Sequence, residues 1–141
     1  MSANKLRHLT QCVFEGLSSL KSLYLSFNML NNLPEKIFDN LKQLEILKLD
    51  HNQLKSLSTN VFDGLKNLRN LDLQGNQLTT LNRNHFISVK KLTQLNLKNN
   101  ALITLAQDSF DDLLYLYLLN LKNNNLNKTQ LDRYENRKLG E

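Results

Sequence analysis

The sequence is poor in the residues that staple or punctuate a fold: its 141 positions hold one Cys, one Pro, four Gly and no Trp. A lone Cys12 builds neither a disulfide framework nor a zinc site of several thiolates. So little Pro and Gly, beside a 40% hydrophobic fraction, excludes a disordered or collagen-like chain. No run approaches the roughly 18 apolar residues of a membrane span. The first eight residues, Met1 to His8, are polar and lack the apolar segment of a signal peptide. No Gly-rich phosphate loop occurs either. The net charge of +5 is not concentrated: residues 65–88 carry +2, and every other 24-residue segment carries 0 or +1. Nucleic-acid binding needs Lys and Arg gathered on one face, so it is not expected.

What the sequence has instead is 34 Leu and 21 Asn, and these repeat with a period of 24. Asn28, Asn52, Asn76, Asn100 and Asn124 each follow a Leu-x-Leu pair, from Leu23 and Leu25 through Leu119 and Leu121. Two residues after each Asn stands Leu30, Leu54, Leu78, Leu102 or Leu126, and ten after stands Phe38, Phe62, Phe86, Phe110 or Tyr134. The unit LxxLxxLxLxxNxLxxLxxxxFxx defines repeats 17–40, 41–64, 65–88, 89–112 and 113–136, after a partial repeat 1–16 and before a tail 137–141. The chain thus starts inside a repeat, as a fragment of a longer protein would.

Leu-x-Leu puts two side chains on one face of an extended segment. The expected strands are 22–27, 46–51, 70–75, 94–99 and 118–123, paired edge to edge in a parallel sheet. No repeat can bury its Leu face alone; stacking buries it, which makes a solenoid over 1–136. The chain must turn sharply after each strand, and an Asn amide has donors and an acceptor for the stranded backbone groups. The Asn column is therefore expected to form a structural ladder. The Phe column fills the opposite side.

These repeats resemble the 24-residue "typical" class of the leucine-rich repeat superfamily. Ile37-Phe38-Asp39-Asn40-Leu41, Val61-Phe62-Asp63-Gly64-Leu65 and Asn76-Gln77-Leu78 are similar to its extracellular branch of Toll-like receptors, Slit proteins and variable lymphocyte receptors. The resemblance implies an α/β repeat solenoid: a right-handed curved coil with a concave parallel sheet and an irregular or 3-10 convex side. Relatives usually carry Cys-rich caps, and this sequence has none. The resemblance further implies a non-catalytic module of a receptor ectodomain or secreted immune or adhesion protein, extracellular or at the cell surface. Its concave face would bind a protein or a microbial surface molecule. Matrix-associated and intracellular scaffold proteins are the alternatives. No cofactor, metal or direct membrane insertion is expected.

The residues expected to face outward from the sheet form four columns. The candidate ligand-binding positions among them are Tyr24, Phe27, Ile46, Lys48, Asp50 and His51, with Asp72, Gln74, Lys98 and Lys122 further along. The first six are the more interface-like, since aromatic anchors among polar groups suit a protein partner. Lys98 and Lys122 stack in one column. The three His stand in different columns and cannot easily converge on a metal or nucleophile. His85, in register with Val13, Ile37 and Val61, is expected to be packed and hydrogen-bonded. Cys12 falls in an exposed column, and Asp111 with Asp112 reads as an exposed loop pair. Asn127-Lys128-Thr129 matches the N-glycosylation sequon, and residues 130–139 have a helical spacing of Leu131, Tyr134 and Leu139. Leu6, Leu9 and Phe14 are expected to be partly uncovered, which predicts weak self-association through the N-terminal end.

Overall fold

The computed structural model describes residues 5–135. Its elements are β1 (Ser22–Tyr24), β2 (Ile46–Lys48), β3 (Asn70–Asp72), β4 (Thr80–Leu81), a 3-10 turn (Arg83–His85), β5 (Gln94–Asn96), β6 (Thr104–Leu105), β7 (Leu118–Asn120) and α1 (Lys128–Glu135). Five strands form one parallel sheet in the order β1-β2-β3-β5-β7. Its register advances by one sequence period, pairing Leu23, Leu47, Leu71, Leu95 and Leu119 in a row. The middle three of these are fully buried. The architecture is the expected leucine-rich repeat coil: a parallel-sheet solenoid with little helix.

The strands are shorter than expected, with regular pairing over three residues and not six. The cross-repeat bonds do continue, as Leu25 N–H to Lys48 O at 2.8 Å and Phe27 N–H to Asp50 O at 3.0 Å show. Extended geometry then ends at a left-handed residue in every full repeat: Phe27, His51, Gly75, Asn99 and Asn123, with φ of 56, 54, 66, 55 and 57°. This swing also explains how two consecutive positions, such as Ser26 and Phe27, both serve the sheet side, against the alternation of a regular strand.

The next residue is the column Asn. The Asn52 amide donates to the Leu25 and Leu49 carbonyls, both at 3.0 Å, and accepts from Leu30 N–H at 3.0 Å. Asn76 repeats the set on Leu49, Leu73 and Leu54, and Asn100 on Leu73, Leu97 and Leu78. Asn124 does so on Leu97, Leu121 and Leu102, while Asn28 accepts from Leu6 N–H and donates to Leu25 O. Each amide joins its own coil to the preceding one, so backbone groups at the turn are satisfied without water.

On the far side, Phe14, Phe38, Phe62, Phe86, Phe110 and Tyr134 form a buried row of rings. Their consecutive centroids lie 5.9, 6.5, 6.5, 5.4 and 5.2 Å apart. Here the structure adds a second parallel sheet, β4 with β6, where Thr80-Leu81 and Thr104-Leu105 supply β-branched residues in register. His85 is buried, with Nε2 3.2 Å from Leu57 O and Nδ1 3.2 Å from Asn82 N. Nδ1 also lies 3.2 Å from Asn82 O and 3.1 Å from Asn82 Oδ1, so both ring nitrogens face hydrogen-bonding partners. The ring thereby replaces an aliphatic residue and stitches two repeats together.

The period breaks at Thr129, and the chain becomes helical two residues earlier than expected. Asn127 caps α1, its Oδ1 accepting from Gln130 N–H at 2.9 Å. Tyr134 continues the ring row edge-on to Phe110 and donates to Ala106 O at 2.8 Å. Met1, Leu139 and the tail 137–141 lie outside the described residues. At the other end Leu6 and Leu9 are half-buried, but Phe14, expected to be partly uncovered, is only 7% exposed. It lies flat on Phe38, whose ring covers it from the next coil.

Candidate recognition surface

The sheet face gathers its candidate residues in two groups. Tyr24, Lys48 and Asp72 occupy one register row. Tyr24 is 47% exposed, whereas Lys48 is held by Asp72 at 3.0 Å. Asp50 is likewise engaged, accepting from Ser26 Oγ at 2.6 Å. Ile46 opens the strand half-buried, beside Asn70, whose amide donates to Gln94 Oε1 at 3.0 Å.

The second group sits at the strand ends. The Phe27 and His51 rings stack with centroids 4.4 Å apart and planes 11° from parallel, and Phe27 is 54% exposed. On the other side of His51 lies Gly75, where an added Cβ would stand 2.8 Å from His51 Nδ1. The glycine supplies both the left-handed backbone and the room for the imidazole. Gln74 reaches His51 Nε2 at 3.4 Å and accepts from the Asn96 amide at 3.0 Å.

Lys98 and Lys122 are not part of this cluster. At about 4.8 Å per strand, Lys122 stands four strands and roughly 19 Å along its row from Ser26. Their backbone N–H groups are turned onto Asn96 Oδ1 and Asn120 Oδ1, each at 3.2 Å. The same positions in the repeat now carry Asn99 and Asn123, joined amide to amide at 2.7 Å, where Phe27 and His51 stand.

Elsewhere, Asp112 is not the exposed loop residue expected. Arg83 grips it through Nε at 2.6 Å and Nη2 at 2.9 Å. That hydrogen bonding, with the charges of Arg83 and Lys90, holds the Asp112 carboxyl below its ordinary range despite some desolvation. The Cys12 thiol is exposed, and hydrogen bonding to Glu15 together with its charge raises it above the usual thiol value. Asn127 is exposed and its Oδ1 is committed to the helix cap. Among the described residues, no group of three or more His, Cys, Asp or Glu side chains is placed to hold a metal, and no helix is long and apolar enough to cross a membrane.

Two features went unread in the sequence. Leu114, Tyr115, Tyr117 and Leu118 are 77, 65, 57 and 44% exposed, together the most open apolar surface of the last repeat. Their signal was the alternating Leu-Tyr-Leu-Tyr-Leu run that replaces polar residues before β7. Lys42, Lys66 and Lys90 also stack at the 24-residue period, on the flank leading into the strands, and all three are exposed. This row lies outside the sheet-facing columns.

A stacked parallel coil with satisfied Asn turns and an open sheet face defines a repeat solenoid. The leucine rich repeat family model matches residues 1–54, 22–78, 43–102 and 67–126, and the chain belongs to that family. Among solved structures, the APL1 leucine-rich repeat domain superposes with a TM-score of 0.83 at 24% identity, over 90% of this chain and 33% of that one. The LRIM1/APL1C complex gives 0.82 at 25% identity, over 89% of this chain and 23% of that one. The chain therefore spans a third or less of these structures. No curated protein matches significantly.

Proposed function

We propose that the chain is a non-catalytic recognition module that binds a protein through the N-terminal half of its sheet face. The observation that carries this is the Phe27–His51 pair. The template needs a left-handed residue there, and Gly75, Asn99 and Asn123 adopt it cheaply. Phe and His adopt it at about 1–2 kcal/mol each. Two costly residues that stack into an open aromatic surface, beside an exposed Tyr24, suit an anchor for a partner. A preformed surface also lowers the ordering cost of binding. The similarity to a leucine-rich repeat complex, LRIM1/APL1C, supports a protein partner. The extracellular setting, as part of a receptor ectodomain or a secreted immune or adhesion protein, follows the same resemblance; a microbial surface molecule is the other ligand class it includes.

The test is an array of purified extracellular proteins probed with the multimerised chain. Each binder is then challenged with Tyr24→Ala combined with Phe27→Asn. Loss of binding at an unchanged melting temperature supports the sheet face. Undiminished binding by this variant sinks it. Asp50→Ala is the poorer choice, because it deprives the nearly buried Ser26 hydroxyl of its acceptor.

A further inference from the structure

We infer that a second surface, the flank leading into the strands, docks an acidic polypeptide segment that also carries aromatic or aliphatic side chains. The inference rests on the recognition reading only in taking the partner to be a protein; it concerns a different face.

Lys42, Lys66 and Lys90 stand one coil apart in a single exposed column. Coils repeat in register with strands about 4.8 Å apart, so the three lysines form one row that runs from coil to coil. None of the ion pairs among the described residues involves them, and the same holds for Arg69 and Lys91. Of the acids on this flank, Asp63 accepts from Ser88 Oγ at 2.6 Å, and Asp112 is gripped by Arg83 and also feels the charge of Lys90. Glu45 is the one acid within the column that holds Lys21 and Arg69, and it is half-buried.

Beside the track, Arg69, Lys91, Thr93 and Tyr115 line a groove of about 250 Å³. Lys91 is held there by its bond to Asn67 Oδ1 at 2.9 Å. Two cations around one recess suit a carboxylate, while the Thr93 hydroxyl donates to Arg69 O at 2.9 Å and the Tyr115 ring makes one wall apolar. The track then runs onto Leu114 and Tyr117, both more than half exposed. Tyr117 is fixed by the hydrogen bond that its hydroxyl accepts from the Gln94 amide. A pure polyanion would use the lysines and leave this apolar end uncovered. A chain with carboxylates followed by apolar side chains complements both, which is why a polypeptide is favoured over a nucleic acid or a sulfated glycan.

The test measures fluorescence anisotropy of a labelled Glu–Tyr copolymer at near-physiological salt, against poly-Glu, a heparin-type oligosaccharide and oligo-dT. The copolymer should bind tightest. Lys42→Gln, Lys66→Gln and Lys90→Gln together should weaken it by about tenfold, as expected for three exposed charge pairs of several tenths of a kcal/mol each. Leu114→Ser with Tyr115→Ser should bring the copolymer down to the level of poly-Glu. Tyr24→Ala with Phe27→Asn should leave copolymer binding unchanged. An absence of copolymer binding, an unaffected triple variant, or tighter binding of the oligosaccharide or oligo-dT would overturn the flank proposal and leave the sheet-face reading standing. So would loss of copolymer binding in the sheet-face variant. A Lys–Tyr copolymer supplies a control that needs no variant to fold: binding by it as tight as by the Glu–Tyr copolymer would refute charge complementarity.

Discussion

Asn76 accepts from Leu54 N–H and donates to the Leu49 and Leu73 carbonyls, so removing its amide strands the Leu54 N–H in a dry turn and leaves each carbonyl with one donor, Asn52 or Asn100, in place of two. Asn76→Ala should destabilise the chain by about 1–3 kcal/mol, a drop of roughly 2–4 °C per kcal/mol in a protein of this size, which thermal denaturation reads directly. Phe27 is the opposite case. Phe27→Asn places a residue tolerant of positive φ where a bulky ring now sits, so the melting temperature should hold or rise even as partner binding falls. Cys12 offers a chemical check. Glu15 raises its thiol, so less thiolate is present at mildly alkaline pH, and Glu15→Gln should speed alkylation by iodoacetamide. The sequence made the ladder Asn legible because one residue type recurs with one spacing. It hid the left-handed column, because Phe, His, Gly and Asn share no chemistry there, only a backbone angle.

The strands were visible as Leu-x-Leu, since burial dictates alternation, but their length was not. The left-handed residue that closes each strand decides it, and no shared residue type marks that position. The β4–β6 pair was equally hidden: two-residue strands carry too little pattern to be read. The helix shows the converse. Thr129 announced that the period had failed, and the Leu131–Tyr134 spacing announced the replacement. Its start was set by Asn127, which reads as a sequon but acts as a cap. Asn127→Ala should cost about 1 kcal/mol through the cap alone, seen as a loss of helical circular dichroism on mild heating. The 3-10 turn is tied to the next repeat by Arg83 and Asp112. Asp112 is held below its ordinary pKa, so its contribution is present above the usual carboxylate value, near 4, and fades as pH falls through the lowered one. Asp112→Asn should therefore flatten the acid limb of the stability–pH profile, with little change when both proteins are already fully protonated.

For the molecule as a whole, every strand pairing advances by the same period, so length can change only in whole units. Deleting 41–64 keeps every inward column aligned, and the shortened chain should still melt cooperatively, at a lower temperature. Deleting 20 residues from the same place shifts Leu positions off the core and should abolish the transition. The ring row carries a further consequence. Its centroids step 5.2–6.5 Å from coil to coil, whereas paired strands step by about 4.8 Å. Each coil is therefore a wedge, thicker behind than in front, and five wedges make an arc with the sheet on its inner radius. The size of a buried phenyl group on the outer radius therefore sets the curvature of the sheet face on the inner one.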